Sequence, residues 1–379
     1  MESGQHRNLP IDKIVWGRPA AEAVGAEAAA LGAERVFIVA SGSLARKTPE
    51  ITQIADALGA RHAGTFDQCR EHTPLESVIA CADAVRRAKA DLMVTVGGGT
   101  PIDTVKIVQL CLTQGIETVD ALRAIARVAQ RTPSVIRQLA VPTTLSGGEH
   151  SSGAGGTDTK TKSKESFIGA DLCPRVIVLD PAITRHTPEW LWLSTGIRAV
   201  DHAVEGSSSK AADPLIKATA LRALAMFAHA LPRTKADPAD LDARLQSQQA
   251  VWLAAQSLGR VSMGASHGIG YILGTLCGVP HGYTSCVMLP AVLRWSAPAA
   301  GDAQAEIARA FGRPGESAAD VVGDFIASLG LPRRLSDVGV REESFPEIAE
   351  RAARHPVVRA NVRPVTKPEE VREILRLAA

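Results

Sequence analysis

Short apolar runs alternate with helix-like segments through the first half of the chain. Residues 36–40 and 91–96 form two such runs, each closed by serine or glycine, and residues 139–144 form a third that ends in a polar turn. Segments with helical periodicity lie between these runs, at residues 49–58, 74–90 and 100–112. Strands and helices that alternate in this way predict a parallel sheet covered by helices.

The character of the chain changes after the Asp180-Pro181 pair. Two strand-like patches come before it, at residues 166–169 and 175–179. From about Thr187 onward the sequence has the pattern of helices joined by short loops, with no convincing strand. We therefore predict an α/β domain over residues 1–184 and an all-helical domain over residues 185–379.

Composition narrows the class of protein. The 379 residues carry a net charge of +2 with no run of five like charges, which argues against a nucleic-acid surface. The chain contains no stretch of about 18 apolar residues, which a membrane span would require. The cytoplasm is therefore the expected location. The six cysteines form no C-x-x-C pair and are expected to be buried free thiols. The basic stretch at Lys160, Lys162 and Lys164 is expected to be an exposed hairpin or loop, with an anionic ligand nearby as the alternative.

A glycine turn is the first candidate for ligand chemistry. Gly97, Gly98, Gly99 and Thr100 follow a predicted strand and open a predicted helix, and Asp103 lies in its first turn. Backbone amides without side chains can approach a pyrophosphate at such a helix start. A tight turn with no ligand is the alternative, because neither a G-x-G-x-x-G nor a P-loop fingerprint occurs.

A second polar turn strengthens the case for a dinucleotide. It contributes Thr143, Thr144 and Ser146, and ligands bind at the carboxyl ends of strands in open α/β sheets. Ser41 ends the first strand and is a further candidate contact. No acidic residue follows it directly, and Arg46 is close in sequence, so NAD and NADP are both possible cofactors.

Three histidines stand out in the helical half. His202, His267 and His281 lie on predicted helices or helix starts and could converge on one metal ion. Each could equally be a satisfied core histidine. The other histidines, His355 among them, show no comparable context.

These motifs, taken in order, resemble the iron-containing alcohol dehydrogenase superfamily. The shared elements are the G-G-G-x-x-x-D loop, the P-T-T turn, the Asp180-Pro181 pair, the H-A-x-E helix and the P-H-G motif. The short 146–149 loop and residues 66–76 look most like the maleylacetate reductase branch. The resemblance implies a dehydroquinate synthase-like architecture, with a dinucleotide domain, a helical domain and an active site in the cleft between them. It also implies a homodimer.

The sequence departs from the metal-dependent members of this superfamily at two positions. Arg198 stands where they carry a ligand aspartate, four residues before the histidine matched by His202. A cation one helical turn from His202 disfavours a metal, and maleylacetate reductases are similar in working without one. Asp201 is no substitute on this reasoning, because the adjacent position points about 100° away around the helix. Tyr271 replaces a second histidine four residues after His267 and should share its face.

The resemblance and the residues together predict an NAD(P)H-dependent reductase of a small acidic oxo or ene-oxo substrate, without a catalytic metal. Arg198 suits a substrate carboxylate, although an ion pair with Asp201 or Glu205 is an equal alternative. The alternatives to this function are an alcohol dehydrogenase with a metal on His202, His267 and His281, a lyase that recycles bound NAD, and a binding protein without turnover. The predicted catalytic residues are Arg198, His202, His267, Tyr271 and His281.

Overall fold

The computed structural model describes residues 3–161 and 163–379 and divides into two compact units. The division falls between Thr187 and Pro188. The short N-terminal segment through Arg7 groups with the second unit. There His6 Nδ1 lies 2.7 Å from Asp213 Oδ2, which gives this segment a defined partner.

The first unit contains a six-stranded sheet in which every neighbouring pair is parallel, as predicted. The strands, in the order in which they lie side by side, are β1 (Lys13–Trp16), β9 (Val176–Leu179), β6 (Arg137–Pro142), β4 (Leu92–Gly97), β2 (Val36–Ala40) and β3 (His62–Phe66). Strands β2, β4 and β9 are buried throughout, which matches their continuous apolar runs. The edge strands β1 and β3 are half-exposed and carry no such run, so the sequence pattern missed them.

Helices cover both faces of this sheet. They are α1 (Ala20–Ala30), α2 (Gly42–Lys47), α3 (Glu50–Leu58), α4 (Leu75–Ala88), α5 (Gly99–Gln114) and α6 (Val119–Ala124). Along β2, Ile38 and Ala40 pack into the core of one face, whereas Phe37 and Val39 pack into the core of the other. The alternation of side chains along a strand therefore serves two separate cores.

A second, three-stranded sheet contains the predicted hairpin. It consists of β5 (Ala129–Gln130), β8 (Ser163–Gly169) and β7 (Gly153–Asp158), and β7 pairs antiparallel with β8. Lys160 lies in the turn and Lys164 lies on β8, whereas Lys162 lies outside the described residues. Lys160 and Lys164 thus belong to a hairpin.

The described residues of the second unit form helices joined by turns and loops, with no β-strand, as predicted. Its helices are α7 (Glu189–Ser208), α8 (Pro214–Ala236), α9 (Leu241–Ala254), α10 (Ala265–Cys277), α11 (His281–Ser296), α12 (Asp302–Ala310), α13 (Ala318–Ser328), α14 (Phe345–Ala353), α15 (Pro356–Arg359) and α16 (Pro368–Leu377). Every residue of α7 from Trp192 to Ser207 is buried, so this helix runs through the core of the unit. Among the described helices, none combines the length and apolarity that a membrane crossing requires.

Candidate active site

The glycine turn lies where β4 ends and α5 begins. Gly97 has φ of +149°, a backbone conformation that favours glycine. A Cβ on Gly98 would lie 2.9 Å from Thr144 Cγ2, and a Cβ on Gly99 would lie 3.4 Å from Ser146 Oγ. A side chain at position 98 would thus conflict with Thr144, whereas a Cβ at position 99 would make an ordinary contact. The first amides of α5 stay accessible at the end of the helix that attracts negative charge.

The second polar turn meets the first, as expected for neighbouring parallel strands. Thr143 N–H donates to the carbonyl of Gly97 at 3.0 Å, and the hydroxyls of Thr144 and Ser146 are 3.2 Å apart. Ser41 belongs to the same group, because a Cβ on Gly97 would lie 3.3 Å from its Cβ. The structure therefore brings together the predicted cofactor residues of three strand ends.

Two predicted residues of α5 make hydrogen bonds within this unit. Asp103 Oδ2 accepts the Gly155 N–H at 3.1 Å, so this carboxylate anchors the β7–β8 hairpin. The carbonyl of Thr100 accepts from the Thr104 hydroxyl within α5. Lys106, which sequence reasoning missed, is fully buried and donates to the Ser151 hydroxyl and the Gly153 carbonyl at 3.1 and 2.8 Å.

An acidic residue near Ser41 was also missed. Asp67 follows β3, and its Oδ2 lies 3.2 Å from Nη1 of Arg46. A Cβ on Gly42 would lie 2.7 Å from the Asp67 carbonyl, so the two segments are in contact. Asp67 is distant in sequence and reaches this loop only because β3 lies beside β2.

The helical unit brings His202 of α7 and His267 of α10 into contact. The Nε2 atom of His267 lies 2.7 Å from Nδ1 of His202. Its Nδ1 atom lies 2.7 Å from Oε2 of Glu205, one helical turn beyond His202. Both histidines are at least 95% buried. Each ring nitrogen of His267 therefore has a partner.

Asp201 belongs to this cluster, although sequence reasoning considered it only as a substitute for a metal ligand and did not name it as a site residue. Its Oδ2 atom accepts from the hydroxyls of Ser266 and Ser285 at 2.7 Å each, and lies 3.3 Å from His267 Nδ1. The 100° argument compared Asp201 only with His202. Positions 201 and 205 are four residues apart and share a helix face, and His267 approaches that face from α10.

The charged groups of the cluster shift one another's pKa values. Burial alone would raise the pKa of Asp201, but the charges of His267 and Arg198 lower it to about 2. Burial and Arg198 oppose protonation of His267, yet the carboxylates of Asp201 and Glu205 raise its pKa above the usual value. The cluster therefore contains two carboxylates and two groups of opposite character. These are the guanidinium of Arg198 and the imidazole of His267, whose proton affinity is increased.

Arg198 points its guanidinium into the same buried region. It is only 5% exposed, its Nη1 donates to Ser285 Oγ at 3.0 Å, and it lies 3.9 Å from Asp201 Oδ2. Its guanidinium carbon is 5.5 Å from the centre of the Tyr271 ring. The ion pair with Asp201 that the sequence left as an alternative is thus present. The distance between its charged atoms is long for an ion pair, and the hydroxyl of Ser285 bonds to both partners.

Tyr271 is surrounded by polar rings. The exposed His281 stacks with it at 5.9 Å between ring centres. His355, which sequence reasoning set aside, lies 5.7 Å away, and burial lowers its pKa. Its Nδ1 accepts the Val357 N–H at 3.3 Å, which leaves Nε2 as the protonated nitrogen of a neutral ring. No local motif indicates His355, because only the packing of α15 against α10 brings it to Tyr271.

Comparison with known proteins defines the class of enzyme first. The chain is 28% identical over 374 residues to a maleylacetate reductase from a Pseudomonas species, covering 97% of this chain and 95% of that one. The crystal structure of maleylacetate reductase from Agrobacterium tumefaciens superposes with a TM-score of 0.85 at 27% identity, covering 100% of this chain and 98% of that one. The protein is an oxidoreductase, of the NAD(P)-dependent reductase and dehydrogenase class.

The family follows from three further matches. Residues 11–181 match the sequence model of iron-containing alcohol dehydrogenase, and residues 192–379 match that of the Fe-containing alcohol dehydrogenase family, C-terminal. The chain is also 34% identical over 412 residues to the dehydrogenase FUM7 of Gibberella moniliformis, covering 97% of this chain and 96% of that one. The chain belongs to the iron-containing alcohol dehydrogenase family, near its maleylacetate reductase branch, which confirms the resemblance.

The family name raises the question of a metal, and the residues present do not fit one. Arg198 puts a buried cation where a carboxylate would be needed, and Nε2 of His267 is engaged by His202. Asp201, Glu205 and His267 do bring three potential ligand atoms within 4.8 Å of one another. However, Glu205 already accepts the backbone N–H groups of Gly264 and Ser266 at 2.7 Å each.

Proposed function

We propose that the protein reduces a small acidic oxo or ene-oxo substrate with NADH or NADPH, and that it does so without a catalytic metal. The observation that carries this proposal is the buried guanidinium of Arg198 within the histidine cluster. A buried guanidinium is a permanent positive charge that binds carboxylates through paired N–H groups. It therefore favours an acidic substrate over a neutral alcohol.

The residues of the first unit fit a dinucleotide. The Gly97–Gly99 turn offers backbone amides at the start of α5, and Thr144 and Ser146 add hydroxyls beside it. The bound nicotinamide would supply a hydride. These residues then have one task, which is to hold the pyrophosphate and thereby fix the position of the cofactor.

The residues of the second unit would stabilise the negative charge that develops on the substrate and supply the proton that completes the reduction. When a hydride adds to an ene-oxo acid, negative charge develops on the oxygen of an enolate. Arg198 supplies fixed positive charge for the carboxylate or for this oxygen without a proton transfer of its own. Tyr271, 5.5 Å from that guanidinium, donates the proton that completes the reduction or orients the substrate oxygen.

A substrate panel assayed with metal-stripped protein tests this function. We expect a 2-en-4-oxo dicarboxylate to oxidise NADPH or NADH at a rate that neutral aldehydes do not reach. Activity that appears only after iron or zinc is added, and only with neutral alcohols or aldehydes, would establish the metal-dependent alternative. Retained NAD without net redox change would instead indicate a lyase.

Metal content gives an independent prediction. Because Arg198 stands at a ligand position, purified protein should contain far less than one equivalent of iron or zinc, and EDTA should change kcat/KM by less than about two-fold. Elemental analysis alongside kinetics measures both quantities. One equivalent of metal that leaves together with activity would show that the histidines suffice as ligands.

Tyr271 gives a second prediction. Tyr271→Phe should lower kcat by about 10-fold while leaving NAD(P)H affinity unchanged, because the hydroxyl serves the substrate and not the cofactor. Steady-state kinetics and fluorescence titration separate these effects. The only other tyrosine, Tyr283, has its ring centre 5.8 Å from that of Trp190, so Tyr283→Phe is the matched control and should keep the wild-type kcat. Equal kinetics for both variants would make Tyr271 a packing residue.

A further inference from the structure

The guanidinium of Arg198 is held by a chain of two buried hydrogen bonds. Arg198 Nη1 donates to Ser285 Oγ at 3.0 Å, and Ser285 Oγ donates to Asp201 Oδ2 at 2.7 Å. Ser285 and Asp201 are both fully buried. Since Arg198 and Asp201 lie on α7 and Ser285 lies on α11, the chain links two helices.

The hydroxyl between the two charges has a physical consequence. Contact between Arg198 and Asp201 through two N–H groups would occupy the donors that a ligand carboxylate needs. Here Ser285 accepts one N–H and keeps the nearest charged atoms 3.9 Å apart. Among the described residues, the hydrogen bonds of this guanidinium are confined to Nη1, which leaves Nε and Nη2 available. The arrangement fixes the direction of the guanidinium while keeping its other donors for a ligand.

We propose that Ser285 and Asp201 are positioning residues that aim Arg198 at the substrate, an inference that rests on the proposed function. Asp201 fixes the rotamer of Ser285, because one oxygen accepts from the hydroxyls of both Ser266 and Ser285. Ser285 in turn fixes one nitrogen of a planar group, and this sets the plane of its remaining donors. Neither residue needs to touch the substrate.

A double-mutant cycle tests this coupling. We would measure kcat/KM with a 2-en-4-oxo dicarboxylate for the wild type, Arg198→Ala, Ser285→Ala and the double variant. Ser285→Ala should cost about 10-fold in the wild-type background, as expected for a hydrogen bond to a charged group. In the Arg198→Ala background it should cost less than about two-fold, because no guanidinium remains to be aimed. A merely structural serine would produce the same loss in both backgrounds.

A second buried serine provides the control. Ser247 of α9 is also fully buried, and its hydroxyl donates to the Ala243 carbonyl of its own helix. Ser247→Ala should keep wild-type kinetics. Equal losses from Ser285→Ala in both backgrounds, or no loss in the wild type, would overturn the positioning role and leave the proposed function intact. Wild-type activity of Arg198→Ala would instead reject the proposed function and this inference with it.

Discussion

Replacing Arg198 by alanine should lower kcat/KM by at least ~100-fold, or roughly 3 kcal/mol, as loss of one preorganised electrostatic group does. The guanidinium is buried beside His267 and Tyr271, where water screens its charge poorly. Arg198→Lys should recover only part of the activity. A lysine keeps the charge but lacks the planar fork that pairs with a carboxylate. Steady-state kinetics with an acidic ene-oxo substrate measure both variants.

A second buried arginine separates chemistry from folding. Arg244 is 2% exposed in the same unit, and its guanidinium carbon lies 4.7 Å from the centre of the Trp192 ring. Arg244→Ala should lower the melting temperature and keep kcat/KM within a few-fold of the wild type. If Arg198→Ala behaves in the same way, the cluster is structural. The catalytic groups would then have to be sought at His281 and in the 146–149 loop.

The second large effect is expected at the glycine turn. Gly98→Asp should abolish measurable NADH and NADPH binding, because even a Cβ would lie 2.9 Å from Thr144 Cγ2. The added carboxylate would also replace accessible amides with negative charge where a pyrophosphate binds. Fluorescence titration with both cofactors measures the loss. Gly98→Ala introduces the steric conflict without the charge and should weaken binding to a smaller extent.

The control for this variant is a glycine in open surroundings. Gly4 has no heavy atom within 4 Å of a built Cβ, so Gly4→Asp adds the same charge without a conflict and should bind both cofactors as the wild type does. Unchanged affinity in a folded Gly98→Asp protein would remove this turn from the cofactor site. The tight turn without a ligand, which the sequence left open, would then be correct.

The parts of the fold that the sequence predicts are those with a strong local pattern. Strands β2 and β4 are buried along their whole length, so their apolar runs were diagnostic. Strands β1 and β3 lie at the two edges of the sheet, where half-exposed residues do not produce such a run. Their existence depends on neighbours that are distant in the sequence.

The same distinction applies to the candidate site. His202 and His267 were recognisable from motifs, and the structure brings their rings together. Ser285 and His355 have no local signal, because only the packing of α7, α10, α11 and α15 gives them their neighbours. Asp201 had a usable signal that sequence reasoning did not apply. A carboxylate on a helix buried on all sides must have a partner, whatever its angle to the next residue.

The balance of charge inside α7 constrains how position 198 can change during evolution. Asp201 and Glu205 already place two carboxylates in this buried cluster. A single mutation of Arg198 to aspartate would remove the guanidinium and add a third carboxylate, with His267 left as the main counter-charge. Such a protein would be destabilised until an ion entered the site. On the proposed metal-free function, a change to metal dependence would therefore require position 198 and its neighbours to change together, or a metal ion to be abundant when the first change occurs.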